Sequence, residues 1–225
     1  MKIVFSFLLL LAVCSSTLAQ RISKVTITGN GTFEMISVQT DDAVINVSPE
    51  GNVISYGVEY LSERIPNYSR IEPYTGRVDL FGAYDDKSFR GKIKYLGKAA
   101  ITYYASYDAE ILQGKIKSIG PLVFNYNMQY DDEAYRGKIK SVGNTALGYF
   151  SNFDNKALKG KLKTVGFTEL NYYTAFDDKA YSGKIKSIGP AGFTYYSSYD
   201  IKYAGSLKSG QQLQNLNGIS YLIKF

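Results

Sequence analysis

Histidine and tryptophan are absent from the 225 residues, and there is one cysteine, Cys14. Each absence removes a class of function. Nucleophilic triads need a general base, and imidazole, the usual one, is missing. Zinc-type sites, which draw on Cys and His ligands, cannot be assembled. Disulfides cannot staple the fold. Beyond the first 19 residues no apolar run approaches the roughly 20 residues of a spanning helix. Alanine-rich stretches with a 3.6-residue apolar period are missing as well, so no helix is expected.

What is there begins with an expected leader. Lys2, the apolar stretch from Ile3 to Val13, and small residues at Thr17 and Ala19 predict a secretory signal over residues 1–19, cleaved before Gln20. Lipid attachment at Cys14 is the alternative, although Val13 before it is not the small residue such sites favour. The expected location is periplasmic, cell-surface or secreted. Without the leader the chain holds 25 basic and 20 acidic residues, a net charge of +5, and no cysteine. Its stability must come from packing and sheet hydrogen bonds, and about 206 residues suffice for a sizeable core if the sheet closes or stacks.

Self-similarity is the strongest signal. Gly-Lys-Ile-Lys begins at Gly91, Gly114, Gly137, Gly160 (with Leu162 for Ile) and Gly183, in steps of 23 residues, and a degenerate copy begins at Gly205. Six residues before the first five glycines stand Asp85, Asp108, Asp131, Asp154 and Asp177, and Asp200 precedes Gly205 by five. An aromatic residue comes just before each: Tyr84, Tyr107, Tyr130, Phe153, Phe176 and Tyr199. A fixed period of this size indicates a repeat architecture. Degenerate frames at Gly51–Gly57 and Gly76–Gly82 extend it upstream. Alternate units differ: paired acids with Phe89, Tyr135 or Tyr181 two residues before the glycine, against one acid with Leu112 or Leu158. This 46-residue super-period predicts that neighbouring hairpins meet different surroundings, in two faces or two sheets.

Each unit offers two strands. In Phe124-Asn125-Tyr126-Asn127-Met128-Gln129-Tyr130-Asp131 apolar and polar residues alternate, the pattern of a half-buried strand. In the Gly-Lys-Ile-Lys-Ser-Ile-Gly strand the same period sets the lysines on one face and Gly, Ile and Ser on the other. Turn residues follow it, as at Gly120-Pro121, Gly143-Asn144 and Gly189-Pro190. The fold class expected is all-β, an antiparallel β-hairpin repeat array. Residues 20–50 form an N-terminal β cap, 51–208 the array and 209–225 a C-terminal cap strand. The apolar alternation to Phe225 leaves an outer-membrane-type β-barrel as the alternative architecture, although strands of about seven residues fall short of the roughly 9–11 needed to span.

The 23-residue length and the Tyr-x-Gly at 135–137 and 181–183 resemble MORN repeats over about residues 83–204, with Ile or Leu where that family has an aromatic two residues after the glycine. Tyr-Asp followed by Gly-Lys-Ile is similar to the YD repeats of bacterial Rhs-type shells. Both resemblances imply an elongated, non-catalytic array of β-hairpins, a solenoid or an extended twisted sheet.

The candidate ligand surface is the lysine set Lys92, Lys94, Lys115, Lys117, Lys138, Lys140, Lys161, Lys163, Lys184 and Lys186, recurring in register. With interleaved tyrosines it could hold an acidic polysaccharide, a lipid head group or an envelope protein; nucleic acid is not expected for an exported chain. The competing reading is a solvated face offset by aspartates. Paired acids at 85–86, 131–132 and 177–178 suggest calcium, but no Ca-loop pattern accompanies them, and aspartate at a strand end ordinarily closes its own turn. A carboxylate-pair glycosidase is the catalytic class that composition leaves open. The acids keep repeat phase, so no enzyme and no cofactor is expected. The 21 tyrosines are read first as core and second as sugar-stacking groups. Sequons stand at Asn30, Asn46 and Asn67.

Overall fold

The structure is a computed structural model describing residues 21–61 and 69–225. The expected leader with Cys14, and the sequon at Asn67, lie outside the described residues. Among the described residues every regular element is a strand, twenty in all.

The repeats build one eleven-stranded antiparallel meander. It runs from β6 (Val78–Leu80) through β7 (Ile93–Leu96), β8 (Ala99–Tyr103), β9 (Ile116–Ile119), β10 (Leu122–Tyr126) and β11 (Ile139–Val142). It continues through β12 (Thr145–Tyr149), β13 (Leu162–Val165), β14 (Thr168–Tyr172) and β15 (Ile185–Ile188) to β16 (Ala191–Gly192). A short pair, β17 (Thr194–Tyr195) with β18 (Leu207–Ser209), follows. Each Gly-Lys-Ile strand turns into its partner through two residues; Ile119 pairs Leu122 across Gly120-Pro121. Gly120 has φ 52 and no positive φ occurs at Pro121, the type II′ pattern that suits the twist of a hairpin.

Returning from one hairpin to the next, the ladder carries a bulge. Thr102 pairs Ser118 and Tyr103 pairs Ile116, which leaves Lys117 unpaired between them. The same shift recurs at Lys94, Lys140, Lys163, Lys186 and Lys208. The second lysine of each motif is therefore the bulged residue, and the two lysines do not share one face. The bulge also lets Ile116 and Ile119, three apart, both point inward and be fully buried. On the outer face Thr102 meets Ser118 at 2.7 Å and Asn125 donates to Ser141 at 3.0 Å, so serine lies opposite polar residues rather than under the aromatics.

The second layer comes from the two ends of the chain. β1 (Arg21–Thr28), β2 (Phe33–Gln39), β3 (Val44–Val47), β4 (Val53–Leu61) and β5 (Ser69–Glu72) join β19 (Leu213–Leu216) and β20 (Ile219–Lys224) in one sheet, ordered β19-β20-β1-β2-β3-β4-β5. The β19–β20 hairpin turns on Asn217-Gly218, both at positive φ, a type I′ turn. β20 lies parallel to β1, from Lys24↔Ser220 to Thr28↔Lys224. The Gly51–Gly57 frame thus falls largely in β4 of this sheet and not in a repeat hairpin. The sheet curls enough to bring Lys24 of β1 to Glu59 of β4, across the row Ser37–Asn46–Ser55.

The two sheets share one core. Ile22, Val25, Ile27, Ile36, Val38, Ile45 and Val47 face Ile101, Ile116, Phe124, Ile139, Leu162, Leu170, Ile185 and their neighbours. Each such side chain contributes about 1.5–3 kcal/mol relative to exposure. The Pro49–Gly51 turn docks directly on the repeats: the Ile116 N–H donates to the Gly51 carbonyl (2.9 Å) and the Ile139 N–H to that of Pro49 (2.8 Å). The aromatic inner face of the repeat strands is thereby covered by protein. The super-period does not sort hairpins into two sheets; it reflects packing of the loops. Phe89, Tyr135 and Tyr181 stack on the inner-face rings Tyr103, Tyr149 and Tyr195, at interplanar angles of 20–25°.

Candidate functional site: the looped rim

Successive hairpins are joined by loops of one design, such as Tyr104 to Lys115, which line one long edge of the repeat sheet. Each opens with a turn. In the second repeat the Asp108 N–H donates to the Ala105 carbonyl (3.1 Å), and the Asp108 carboxylate accepts from the Ala105 N–H (2.6 Å). Asp85, Asp131, Asp154, Asp177 and Asp200 do the same for Gly82, Met128, Ser151, Thr174 and Ser197. These hydrogen bonds hold the Asp154 and Asp177 carboxyls below the usual carboxylate range, with Lys163 and Lys186 adding to the effect.

The residue just before each of these aspartates occupies the third place of the turn and points away from the protein. Tyr84, Tyr107, Tyr130, Phe153, Phe176 and Tyr199 are 81–106% exposed. Six rings in one phase thus stand free along the rim, although the alternating pattern had continued strand β10 through Tyr130. The strand stops at Tyr126, and the turn carries the ring outward.

Neighbouring loops are stapled in register. Asp86 accepts from the N–H and hydroxyl of Ser106 in the next repeat (3.1 and 2.7 Å), and Asp178 does the same for Ser198 (3.0 and 2.9 Å). Asp132 accepts from the Asn152 N–H, and Asn155 from that of Ala175. The paired acids therefore spend their oxygens on backbone. Among the described residues no group of three or more His, Cys, Asp or Glu is placed to hold a metal ion.

The ten lysines divide into two rows. Lys92, Lys115, Lys138, Lys161 and Lys184 are half-buried. Each lies over the inner tyrosine of its own hairpin, as Lys115 over Tyr126 at 5.1 Å. Each also donates to the glycine carbonyl opening the next repeat, Gly114, Gly137, Gly160, Gly183 or Gly205. Burial pushes all five down, Lys161 to about 8. These are stacking clamps. Lys94, Lys117, Lys140, Lys163 and Lys186 are the exposed row. All but Lys140 rest on a ring at the start of a loop, Phe81, Tyr104, Phe150 or Tyr173, at 5.4–5.5 Å. Lys140 meets no ring because Asn127 holds that place.

No known protein family, curated protein or solved structure matches this chain. Its chemistry is therefore read from the geometry. The rim combines free rings, exposed ammonium groups and turn carboxylates of alternating sign, repeated at even intervals. A hollow of about 480 Å³ lies at the far end, between the β1–β2 turn and the last repeat. Its two lysines are engaged, Lys184 by Gly205 and Lys224 by Glu34, and no Asp or Glu lines it.

Proposed function

We propose that this protein is an exported, non-enzymatic binding module of the cell envelope or secreted fraction, and that its looped rim holds an extended polysaccharide. The observation that carries the reading is the row of six exposed rings. Large aromatic side chains left bare in one contiguous row mark an interaction surface, where isolated ones need no explanation. A core role is excluded for these six by their exposure, and the turn that presents each ring spends its own hydrogen bonds on holding it there. The carboxylates nearest the rim are occupied in turns and staples, which supports binding over catalysis.

A second reading, an acidic glycan held through Lys94, Lys117, Lys140, Lys163 and Lys186, is favoured by the exposed lysine row beside the rings. The purified protein, passed over immobilised neutral and acidic polysaccharides at low and high salt, separates the two. Retention that survives high salt supports stacking on the rings. Retention only on acidic matrices, lost with salt, assigns the contact to the lysines. Failure to bind any polysaccharide at low salt overturns both.

A further inference from the structure

We infer that the rim is built for a β-1,4-linked hexopyranose chain lying across the strands, one exposed ring to each disaccharide. This rests on the proposed polysaccharide-binding function and names the linkage it selects. Each repeat contributes two strands, so successive rings stand roughly 10 Å apart, twice the interstrand spacing. A β-1,4 chain in its extended two-fold form reverses each sugar relative to the last. The same pyranose face therefore returns on the same side once per disaccharide, at about that interval. An α-1,4 chain coils and cannot present one face to successive rings.

The inter-repeat contacts make the interval regular. Asp86 to Ser106, Asp132 to Asn152, Asn155 to Ala175 and Asp178 to Ser198 each tie one loop to the next within a residue of the ring. The glycine carbonyls are clamped by the preceding repeat's lysine. Four of the five steps are fixed at both points along the loop and the Tyr107-to-Tyr130 step by the Lys115 clamp alone, which leaves the ladder little freedom to match another spacing. Four ring positions hold Tyr and two, Phe153 and Phe176, hold Phe, which fits stacking on the apolar C–H face of a sugar and not recognition through a phenol hydroxyl.

The test is titration calorimetry of the purified protein with soluble oligosaccharides of two to eight sugars. The set comprises β-1,4-glucose, β-1,4-N-acetylglucosamine and α-1,4-glucose oligomers. Affinity for one of the β-1,4 series is expected to rise in steps of two sugars, with the α series weaker at every length. Phe153→Ala should weaken the longest ligand roughly 2- to 10-fold, and Phe153→Tyr should leave it unchanged, with circular dichroism spectra matching the parent. If α- and β-linked chains of equal length bind equally and Phe153→Ala weakens both, the linkage inference falls while the rim remains a polysaccharide site. Binding unaffected by Phe153→Ala and Tyr130→Ala together, or no binding to any of the oligomers or their polymers, overturns both.

Discussion

At Ala109 the run of inter-repeat staples is interrupted. The equivalent places are Asp86, Asp132, Asn155 and Asp178, and each accepts the N–H twenty residues ahead. Ala109 offers no acceptor to Gln129. Replacing it restores the pattern, so Ala109→Asp is expected to raise the thermal midpoint followed by circular dichroism. Asp86→Ala should lower it. A lower midpoint for Ala109→Asp would show that these contacts do not hold the loops in register. The aspartates were readable as turn residues, because an Asx-type bond is local. The staples were not, since their partners come near only once the hairpins stack. The rings were misplaced for a related reason: Tyr130 continued an alternation that Asp131 ends by capturing the Met128 N–H.

Among elements, the bulge decides which side chains reach the core. Gly-Lys-Ile-Lys-Ser-Ile spaces its two isoleucines three apart, and no regular strand can bury both on one face. That spacing was the sign of the bulge in the sequence, overlooked by a strict two-residue period. Ile139, fully buried beneath the seven-stranded sheet, should cost about 2–5 kcal/mol as Ile139→Ala in urea unfolding. The glycine opening the strand gives a paired comparison. Gly91 and Gly160 both have φ 72, but a Cβ at Gly91 meets nothing within 4 Å, whereas at Gly160 it meets the Ala134 carbonyl at 2.6 Å. Gly91→Ala is expected to cost about 1–2 kcal/mol from the left-handed backbone alone, and Gly160→Ala more. Equal losses would mean that adjacent repeats do not pack as closely as described.

For the whole molecule, the hairpin array was legible from its period, and its all-β character from composition. The covering sheet was not, because its strands do not keep the 23-residue period and its β1–β20 seam joins the two ends of the chain. The core between the layers makes the fold sensitive to alkali. Tyr103, Tyr126, Tyr149, Tyr172 and Tyr195 are pushed up from 10.0 by burial. Below pH 10 folded and unfolded chains both keep these protons. Above it the unfolded chain releases them while the folded one retains them, so stability falls as pH rises. The half-buried lysines act oppositely, but only up to their ordinary 10.5. Above about pH 10.5 these five rings should therefore ionise only as the protein unfolds, so that their share of the tyrosinate absorbance and the loss of β-type circular dichroism coincide. Ionisation of every tyrosine while the circular dichroism stays unchanged would contradict the burial. The parallel pairing of β1 with β20 has a mechanical consequence as well. Force applied between Arg21 and Phe225 pulls two neighbouring strands past each other, loading the contacts from Lys24↔Ser220 to Thr28↔Lys224 together instead of one at a time. A tether attached at these points meets its resistance in shear, and the repeats carry no load until that seam gives way.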